Sequence, residues 1–375
     1  MNNGIKIIIG LIFVLSTNSL TLAGDMQITH VRHDPRVLES PAGPKVTVAY
    51  RLNQAAAVTL DIYDPRDLLI RRLLTREKQA QGDHAAIWDG RDASGKWVLP
   101  NFYTYVIQAQ AADGTTAVYD LSDVTGGRAL QVPAAQYDPL LQQVSYVLSE
   151  AALVNVRIGL ADGGPLLHTL LDWVPRTAGL QQEFWNGWDA QETLEIGRMQ
   201  NYRIGVSAYV LPHNSIIVKT ADRVNRPAFP APAQPLVLRA GKARGRKQMY
   251  NHWQHPRDKC YDPVIHLDLL NHSQTDANGL PVIQGPVTLR LSVDQKDRPF
   301  IMDQRFEVVF YVDFIFVYEE ELGYTPFNWQ WDPHGSNDGV HHLTAMLRGY
   351  EGHFGTTTMK VFVKNPSVPK PLKEN

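Results

Sequence analysis

The stretch HAAIWDGRDASGKWVLPNFYTYVIQA, from His84 to Ala109, has a counterpart further along the chain. The segment QQEFWNGWDAQETLEIGRMQNYRIGVSA, from Gln181 to Ala208, repeats its order of a Trp, a turn residue, a Gly and an Asp, followed by a strand pattern with a central Tyr. At an offset of 97 positions, the pairs that coincide are Gly82 and Gly179, Trp88 and Trp185, Gly90 and Gly187, Asp92 and Asp189, and Tyr105 and Tyr202. Such an offset predicts a duplicated domain of about a hundred residues.

Alternating apolar residues predict β-strands in both copies. In the first copy these are Val46, Val48, Tyr50 and Leu52, then Val58, Leu60 and Ile62, then Tyr103, Tyr105 and Ile107. In the second copy they are Val154, Val156 and Ile158, then Tyr202, Ile204 and Val206. KWVLPNFYTYVIQA is expected to be the last strand of the first copy, with Pro100 at an edge or bend. Because turn dipeptides separate these short runs, an antiparallel sandwich is predicted.

The turn residues of both copies are interpreted as structural clamps. A Trp at a strand end can bury its ring between two sheets, and a Gly permits backbone angles that other residues avoid. An Asp can accept hydrogen bonds from the amides of its own turn. The predicted clamp residues are Trp88, Asp89, Gly90, Asp92 and Tyr105 in the first copy and Trp185, Gly187, Asp189 and Tyr202 in the second.

The first segment resembles the closing signature of the Ig-like module of FlgD-type, flagellar hook-capping proteins. In that family, Trp-Asp-Gly and a short turn with Gly precede Gly-x-Tyr and a strand. Asn101 stands where the family usually has Gly, and in the second copy Asn186 replaces the Asp and the turn glycine is absent. The resemblance implies an Ig-like scaffold or partner-binding module of exported proteins. A flagellar role is not implied, because the assembly segment of hook-capping proteins has no counterpart.

The composition changes after a Pro/Ala-rich linker. Strands are predicted at VTLRLSVD (Val287–Asp294) and FEVVFYVDFIFVY (Phe306–Tyr318), and a hairpin is predicted within His341–Asn365. The pattern before this hairpin resembles bacterial Ig-like domains and comprises Trp331, Asp332, Asp338, Gly339, His341 and Leu343. Of these, Trp331, Asp338, Gly339 and His341 are expected to be structural. The basic run Arg239–Lys247 and the acidic run Tyr318–Leu322 are expected to be solvated loops, the alternative being a groove for an anionic polymer.

The sequence therefore predicts an all-β protein of three antiparallel Ig-like β-sandwiches in series. The expected segments are a signal peptide (1–23), a first domain (24–125), a divergent second copy (126–224), the linker (225–236), an elaborated third domain (237–365) and a C-terminal tail (366–375).

The N-terminal residues predict export. Lys6 precedes a short apolar run from Ile7 to Leu15, and Thr21-Leu22-Ala23 provides small residues for signal peptidase. The apolar run is about half of the ~20 residues that a membrane-spanning helix needs. We expect cleavage after Ala23, no membrane span afterwards, and a protein that is periplasmic, cell-surface or extracellular.

Composition limits the class of protein. The 375 residues are 44% apolar and 20% charged, which is typical of globular domains, and a net charge of −2 argues against binding nucleic acid. Cys260 is the single cysteine, so no internal disulfide can form. It is expected to be buried, with an intermolecular bridge or a reactive thiol as the alternatives.

Motifs of the common enzyme classes are missing from the sequence. It contains no G-x-S-x-G, H-E-x-x-H, C-x-x-C-H, P-loop or G-x-G-x-x-G pattern. Two groups of histidines stand out, and they comprise His252, His255, His266 and His272 near Cys260, and His334, His341, His342 and His353 near the end of the chain. Neither group has a recognised ligand spacing. No catalytic residue, metal site or cofactor is therefore expected.

These patterns favour a non-catalytic exported scaffold whose domains bind an envelope or extracellular protein, or a polysaccharide. The alternative is a polysaccharide-active enzyme, or its carbohydrate-binding accessory, with a site in the third domain. Binding is expected in the third domain, because irregular additions to a rigid scaffold often carry recognition. The aromatic and cationic candidates are Tyr250, Trp253, Arg257 and Tyr261, together with Cys260.

Overall fold

The computed structural model describes most of the chain between residues 25 and 365. The described ranges are 25–39, 42–121, 128–219, 262–271, 274–350 and 352–365. The predicted signal peptide, the linker and the C-terminal tail lie outside them. Within the described ranges, no helix has the length and apolar character needed to cross a membrane.

The first part of the chain is built of strands. They are β1 (Ile28–Asp34), β2 (Val37–Leu38), β3 (Val46–Leu52), β4 (Ala56–Tyr63), β5 (Leu69–Gln79), β6 (Gly82–Trp88), β7 (Asn101–Ala111) and β8 (Thr116–Tyr119). The alternation in the sequence reflects burial, since Val46, Val48, Tyr50 and Leu52 of β3 all point into the core. Pro100 lies in the bend just before β7, where its missing amide breaks no strand pairing.

The second part continues with short strands and one 3₁₀ turn at Ile196–Arg198. The strands are β9 (Ala129–Leu130), β10 (Gln136–Asp138), β11 (Gln143–Leu148), β12 (Ala152–Leu160), β13 (Leu166–Arg176), β14 (Gly179–Phe184), β15 (Tyr202–Val210) and β16 (Ser215–Val218).

The third part adds a short helix, α1 (Arg298–Met302), and a 3₁₀ turn at Pro333–Gly335. Its strands are β17 (Ile265–Leu270), β18 (Val282–Ile283), β19 (Val287–Val293), β20 (Phe306–Val312), β21 (Ile315–Glu320), β22 (Phe327–Trp331), β23 (Gly339–Gly349) and β24 (Phe354–Val363). β23 and β24 form the hairpin that the sequence predicts.

Each part of the chain forms two sheets around its own hydrophobic core. The first pair is β1-β3-β6 and β2-β16-β7-β4-β5, with β8 also on β7; the second is β10-β11-β14 and β13-β12-β15-β9; the third is β17-β19-β22 and β18-β24-β23-β20-β21. Pairing is antiparallel except for β2 with β16 and β18 with β24. The fold is all-β, as the alternating pattern predicts.

One edge of β7 is covered by two strands from distant parts of the sequence. β8 pairs with Ile107–Gln110, and β16 continues the same edge by pairing with Asn101–Thr104. The backbone amide of Tyr105 donates to the carbonyl oxygen of Asn214 at 3.3 Å, which extends the β16 contact. β7 is therefore not the last strand of the first sandwich. The predicted boundary at residue 125 is corrected, because β16 completes the first sandwich from beyond the second.

β16 also joins the first two sandwiches. Ile216 and Val218 are buried in the first core. Ile217 points the other way, because side chains alternate along a strand, and packs in a separate cluster with Phe102 of the first sandwich and Trp173 of the second. The first two sandwiches consequently share a buried apolar junction.

The second and third sandwiches are joined by a polar contact around Asp262. Its carboxylate accepts hydrogen bonds from Arg157, with Nη2 at 2.6 Å and Nε at 3.2 Å, and from the Thr169 hydroxyl at 2.6 Å. The amide of Phe354 donates to the same carboxylate at 2.9 Å. The backbone amide of Asp262 donates to Asp172 Oδ2 at 2.9 Å. The Asp262 side chain, at the start of the third sandwich, therefore contacts both the second and the third sandwich.

Apolar side chains extend this second junction. Val309, Tyr311 and Met346, on the outer face of the third sandwich, pack with Leu166 of the second. Phe314 reaches the core of the second sandwich.

Candidate partner-binding surface

The turn after Trp88 satisfies its own polar groups. The Trp88 indole donates to the carbonyl oxygen of Arg91 at 3.0 Å, and Asp89 Oδ1 accepts from the Arg91 amide at 3.1 Å. Asp92 Oδ1 accepts from the amides of Ser94 and Lys96 at 2.8 and 3.0 Å. Gly90 has a φ of +75°, and a Cβ there would lie 2.4 Å from the Trp97 ring. The turn requires glycine for both its backbone angle and its packing.

The turn after Trp185 makes matching contacts. The Trp185 indole donates to the carbonyl oxygen of Trp188 at 2.8 Å, and Asn186 Oδ1 accepts from the Trp188 amide at 3.0 Å. Asp189 Oδ1 accepts from the amides of Thr193 and Leu194 at 2.7 and 3.0 Å. Asn186 thus makes the hydrogen bond that Asp89 makes in the first turn, because an amide oxygen accepts as a carboxylate does.

The aromatic partners of the two Trp rings differ. Trp88 is fully buried and meets the Tyr103 ring edge to face, with centroids 5.4 Å apart. Tyr105 is buried with its hydroxyl 3.2 Å from His33 Nδ1. In the second sandwich, Tyr202 is only partly buried, and its ring centroid lies 6.1 Å from that of Trp185.

In the third sandwich, the residues singled out near the final hairpin lie in the core and in the turns around it. Trp331 is buried in the core, and Asp338 Oδ1 accepts from the Asn365 amide at 2.9 Å. Gly339 has a φ of +140°. His341 lies between Asp313, with Nδ1 2.6 Å from Oδ2, and the carbonyl oxygen of Asn337, 2.7 Å from Nε2.

Tyr250, Trp253, Arg257, Cys260 and Tyr261 lie outside the described residues, as do His252, His255 and His272. The described part of the chain contains no group of three or more His, Cys, Asp or Glu side chains arranged to hold a metal ion.

The strand β21 presents a surface that the sequence patterns did not single out. Within the described residues, it lies at the edge of its sheet and pairs only with β20. Ile315, Phe316 and Val317 are exposed by 70%, 53% and 42%. Because consecutive strand residues point to opposite faces, both faces of β21 are open at this end. We call Ile315–Glu320, with its unpaired backbone edge, the β21 edge.

A second exposed edge differs from the β21 edge. β14, at the edge of the second sandwich, exposes Leu180 and Phe184 on one face. Its other face is covered, since Gln181 and Glu183 are buried. β14 therefore presents an ordinary sheet surface, whereas the start of β21 extends beyond the packed body of its sandwich.

A tight turn holds the β21 edge in place. Asp313 and Phe314 connect β20 to β21 with φ values of +48° and +67°, as in a two-residue type I′ hairpin. Asp313 accepts from the His342 amide at 2.9 Å, and the Phe314 ring stacks on the His342 ring with centroids 5.3 Å apart. The turn is therefore anchored to β23 and to the second sandwich.

The apolar pattern of Phe306–Tyr318 predicts one strand without a turn, and the hairpin of β20 and β21 corrects this prediction. Asp-Phe lacks the Gly or Asn that marks type I′ turns, and the contacts to His342 stabilise it instead. The length of the run was the available signal, since 13 residues exceed an ordinary strand. The acidic run is also corrected: Tyr318, Glu319 and Glu320 belong to β21 and not to a loop.

Carboxylates make the C-terminal half of the β21 edge acidic. Arg348 binds both Glu307 and Glu319, with its Nη2 2.9 Å from Glu319 Oε1. Burial by itself would raise the pKa of Glu307, but hydrogen bonds from Tyr350 and Arg348 outweigh it and hold that pKa below its usual value. Glu320 and Glu321 follow and add two further carboxylates, so the β21 edge combines an apolar start with an acidic end.

Comparisons with known proteins agree with the fold of the first sandwich. Residues 38–113 match the model of the FlgD Ig-like domain family. No curated protein sequence matches the chain.

Several solved structures align with the chain at low identity. The fibronectin(III)-like modules of Clostridium thermocellum CbhA align at 10% identity over 93% of this chain and 100% of theirs, with a TM-score of 0.21. An ice-binding adhesin of an Antarctic bacterium aligns at 12% identity over 92% of this chain and 75% of its own, with a TM-score of 0.18. The endo-β-1,4-mannanase of Thermotoga petrophila aligns at 18% identity over 31% of this chain and 22% of its own, with a TM-score of 0.21. At these scores, none of the alignments carries an argument about function.

Proposed function

We propose that the protein is a non-catalytic, exported scaffold that binds a protein partner at the β21 edge. The observation that carries this proposal is the apolar edge of β21 in the third of three joined sandwiches, which is open within the described residues. An unpaired strand edge offers backbone amides and carbonyls to an added strand, and exposed apolar side chains beside it give that strand something to pack on.

The junctions between sandwiches support a scaffold role. The first junction is buried and apolar around β16, and the second contains an ion pair whose side chains, Arg157 and Asp262, are exposed by only 18% and 9%. Domains that share buried junctions keep a set spacing better than domains on open linkers. In this proposal, the first two sandwiches hold the β21 edge at a fixed distance from the N-terminal end.

The two matching turns support the related proposal that the second sandwich is a divergent copy of the first. Trp88 and Trp185 donate to the carbonyl three residues ahead, and Asp89 and Asn186 accept from the amide two residues ahead. In this role the clamp residues stabilise their own sandwiches. Contacts by Tyr250, Trp253, Arg257, Cys260 and Tyr261 remain part of the proposed binding region.

Site-specific photocrosslinking tests the proposed function. A photoreactive amino acid at Val317, in full-length protein made by its native host, is expected to form a covalent adduct with an envelope or extracellular protein. The matched control places the same amino acid at Val118, which is 59% exposed on β8 of the first sandwich. Adducts at both positions alike, or at neither, would refute binding at the β21 edge.

A further inference from the structure

A second strand of the same chain has an edge that is complementary to the β21 edge. β5 lies at the end of its sheet in the first sandwich. Its sequence, LIRRLLTREKQ, carries the basic residues Arg71, Arg72, Arg76 and Lys78 and the single acidic residue Glu77. β21 and the residue after it carry Glu319, Glu320 and Glu321. The two edges therefore have opposite charge.

Only part of the β5 edge is open. The amide of Ala93 donates to the carbonyl oxygen of Ile70 at 3.0 Å, so the loop after β6 covers the start of the strand. The guanidinium of Arg72 binds Asp61, with Nε 2.8 Å from Oδ1. Further along, Arg76 and Lys78 are exposed. The open part of the edge, Leu73–Lys78, thus presents Arg76 and Lys78 on either side of Glu77. It contains a β-bulge, since Arg76 has a φ of +48° and the register with β4 shifts there.

Charge also decides which strand can pair with the β21 edge. Two copies of β21 paired in parallel would set Glu319 and Glu320 of one strand beside the same residues of the other. Like charges close together across paired strands are destabilising. Paired antiparallel over their full length, they would set these carboxylates opposite the apolar Phe316 and Ile315, which do not offset the loss of water around a carboxylate. Acidic residues on an edge strand therefore disfavour pairing with an identical strand and favour a basic one. Leu73–Lys78 of another copy is a basic edge of this kind.

We propose that the β21 edge of one copy pairs with the Leu73–Lys78 edge of the next, so that the protein associates head to tail. This inference rests on the proposed binding function of the β21 edge and names its partner as a second copy of the chain. Because the two edges lie in different sandwiches, a contact that uses one pair of edges between two copies is heterologous, and it leaves one edge of each copy open to build rings or open chains. Its attraction is electrostatic in part, so salt weakens it.

Sedimentation of the purified full-length mature protein tests the inference. At about 50 mM salt, where the Debye length exceeds 10 Å, the sedimentation coefficient is expected to rise with concentration. At roughly 0.5 M salt, where screening is strong, the association constant is expected to fall by about tenfold or more. A monomer at every concentration in low salt would overturn the proposal.

Charge reversal identifies the two edges. The Glu320→Lys/Glu321→Lys variant has two basic edges and the Arg76→Glu/Lys78→Glu variant has two acidic edges, so each alone is expected to stay monomeric. An equimolar mixture restores complementary pairs at every junction and is expected to associate as the wild type does. Lys45→Glu, on an exposed loop of the first sandwich, is the control and should associate normally. Association of either edge variant alone, or failure of the mixture, would overturn the proposal.

Hydrogen exchange distinguishes a second copy from other occupants. The amides of β21 are expected to become protected as the concentration rises. Protection that is independent of concentration would mean that the chain itself covers the edge, and would overturn the inference. The protein could also prove monomeric and still crosslink to a different protein from position 317. That result would overturn self-association but would leave the proposed function standing.

Discussion

Arg157 and Asp262 form a two-pronged ion pair between the second and third sandwiches, with Nη2 2.6 Å from Oδ1 and Nε 3.2 Å from Oδ2. The guanidinium also lies 4.4 Å from the centroid of the Phe354 ring, and its Nη2 donates to the carbonyl oxygen of Gly352 at 2.9 Å. Arg157 comes from β12 and Asp262 from the residues before β17. Together with the apolar contacts of Leu166 and Phe314, they hold the third sandwich on the second.

Replacing Asp262 by Asn should loosen this junction. The variant leaves Arg157 partly buried without its counter-charge, and loss of one partner of such a pair costs about 3 kcal/mol. Calorimetry is expected to show the third sandwich unfolding at a lower temperature than in the wild type. Asp83→Asn is the matched control, because its pair with Arg51 is exposed and contributes about 0–1 kcal/mol. Identical unfolding of Asp262→Asn and the wild type would contradict the role of this pair.

Truncating Ile216 should destabilise the first sandwich, although the residue follows the second one in sequence. Its side chain is completely buried in the first core. Ile216→Ala is expected to cost about 2–5 kcal/mol. Hydrogen exchange should show faster exchange in β7 and β4 than in β12. Val118→Ala, at an exposed position of β8, should change stability by less than about 0.5 kcal/mol. If the loss appears only in the second sandwich, the assignment of β16 is wrong.

Removing the Trp rings should affect the two sandwiches separately. Trp88→Ala and Trp185→Ala are each expected to cost about 3–5 kcal/mol, because each leaves a large cavity and an unpaired carbonyl. Denaturant unfolding checks the values.

The control for the clamp variants is Asp89→Asn. The amide oxygen can accept the Arg91 amide proton as Asn186 accepts that of Trp188. Its stability should stay within about 1 kcal/mol of the wild type, since the charge of Asp89 is paired at long range on a partly exposed surface, at 3.7 Å from Arg91 and 3.8 Å from Arg71. Wild-type stability of both Trp variants would contradict the clamp interpretation.

Acid should destabilise the protein through two partly buried histidines, His33 and His168. Burial lowers the pKa of His168 to about 4, and burial with the nearby Arg36 lowers that of His33 to about 4. Between pH 4 and the unfolded value of 6.5, the unfolded chain binds more protons than the folded chain. The contribution of these two histidines to the free energy of unfolding should therefore be fully present above pH 6.5. It should fall as the pH decreases towards 4.

The variant His168→Leu separates this effect from other titrations. This variant should lack the part of the pH dependence that His168 causes, which is at most about 3 kcal/mol between pH 6.5 and pH 4. Urea unfolding at a series of pH values measures the slope. An unchanged slope would show that His168 does not contribute.

The mature protein should begin at Gly24 and be found outside the cytoplasm. The order of Lys6, the apolar run and Thr21-Leu22-Ala23 is the reason. Mass spectrometry of the protein from its native host identifies the first residue. An intact Met1 in the cytosolic fraction would contradict export.

The sequence by itself determined most of the strands and the two Trp turns. Alternation predicted β3, β4, β7, β12 and β15, and the spacing of Trp88 and Trp185 predicted two turns whose hydrogen bonds proved to match. These features depend on neighbours within a few residues, because side-chain alternation and turn geometry are set by the adjacent backbone.

Only the tertiary structure decided how the strands are shared and which edge stays open. SIIV at 215–218 has no feature that assigns it to one sandwich, and its place on β7 depends on pairing with residues more than a hundred positions away. The turn at Asp313 and Phe314 depends on its contacts with His342. Ile315–Val317 are exposed because, within the described residues, no strand pairs with the outer edge of β21. Strand pairing is a long-range choice between backbones that are chemically alike, so periodicity predicts a strand but not its neighbour.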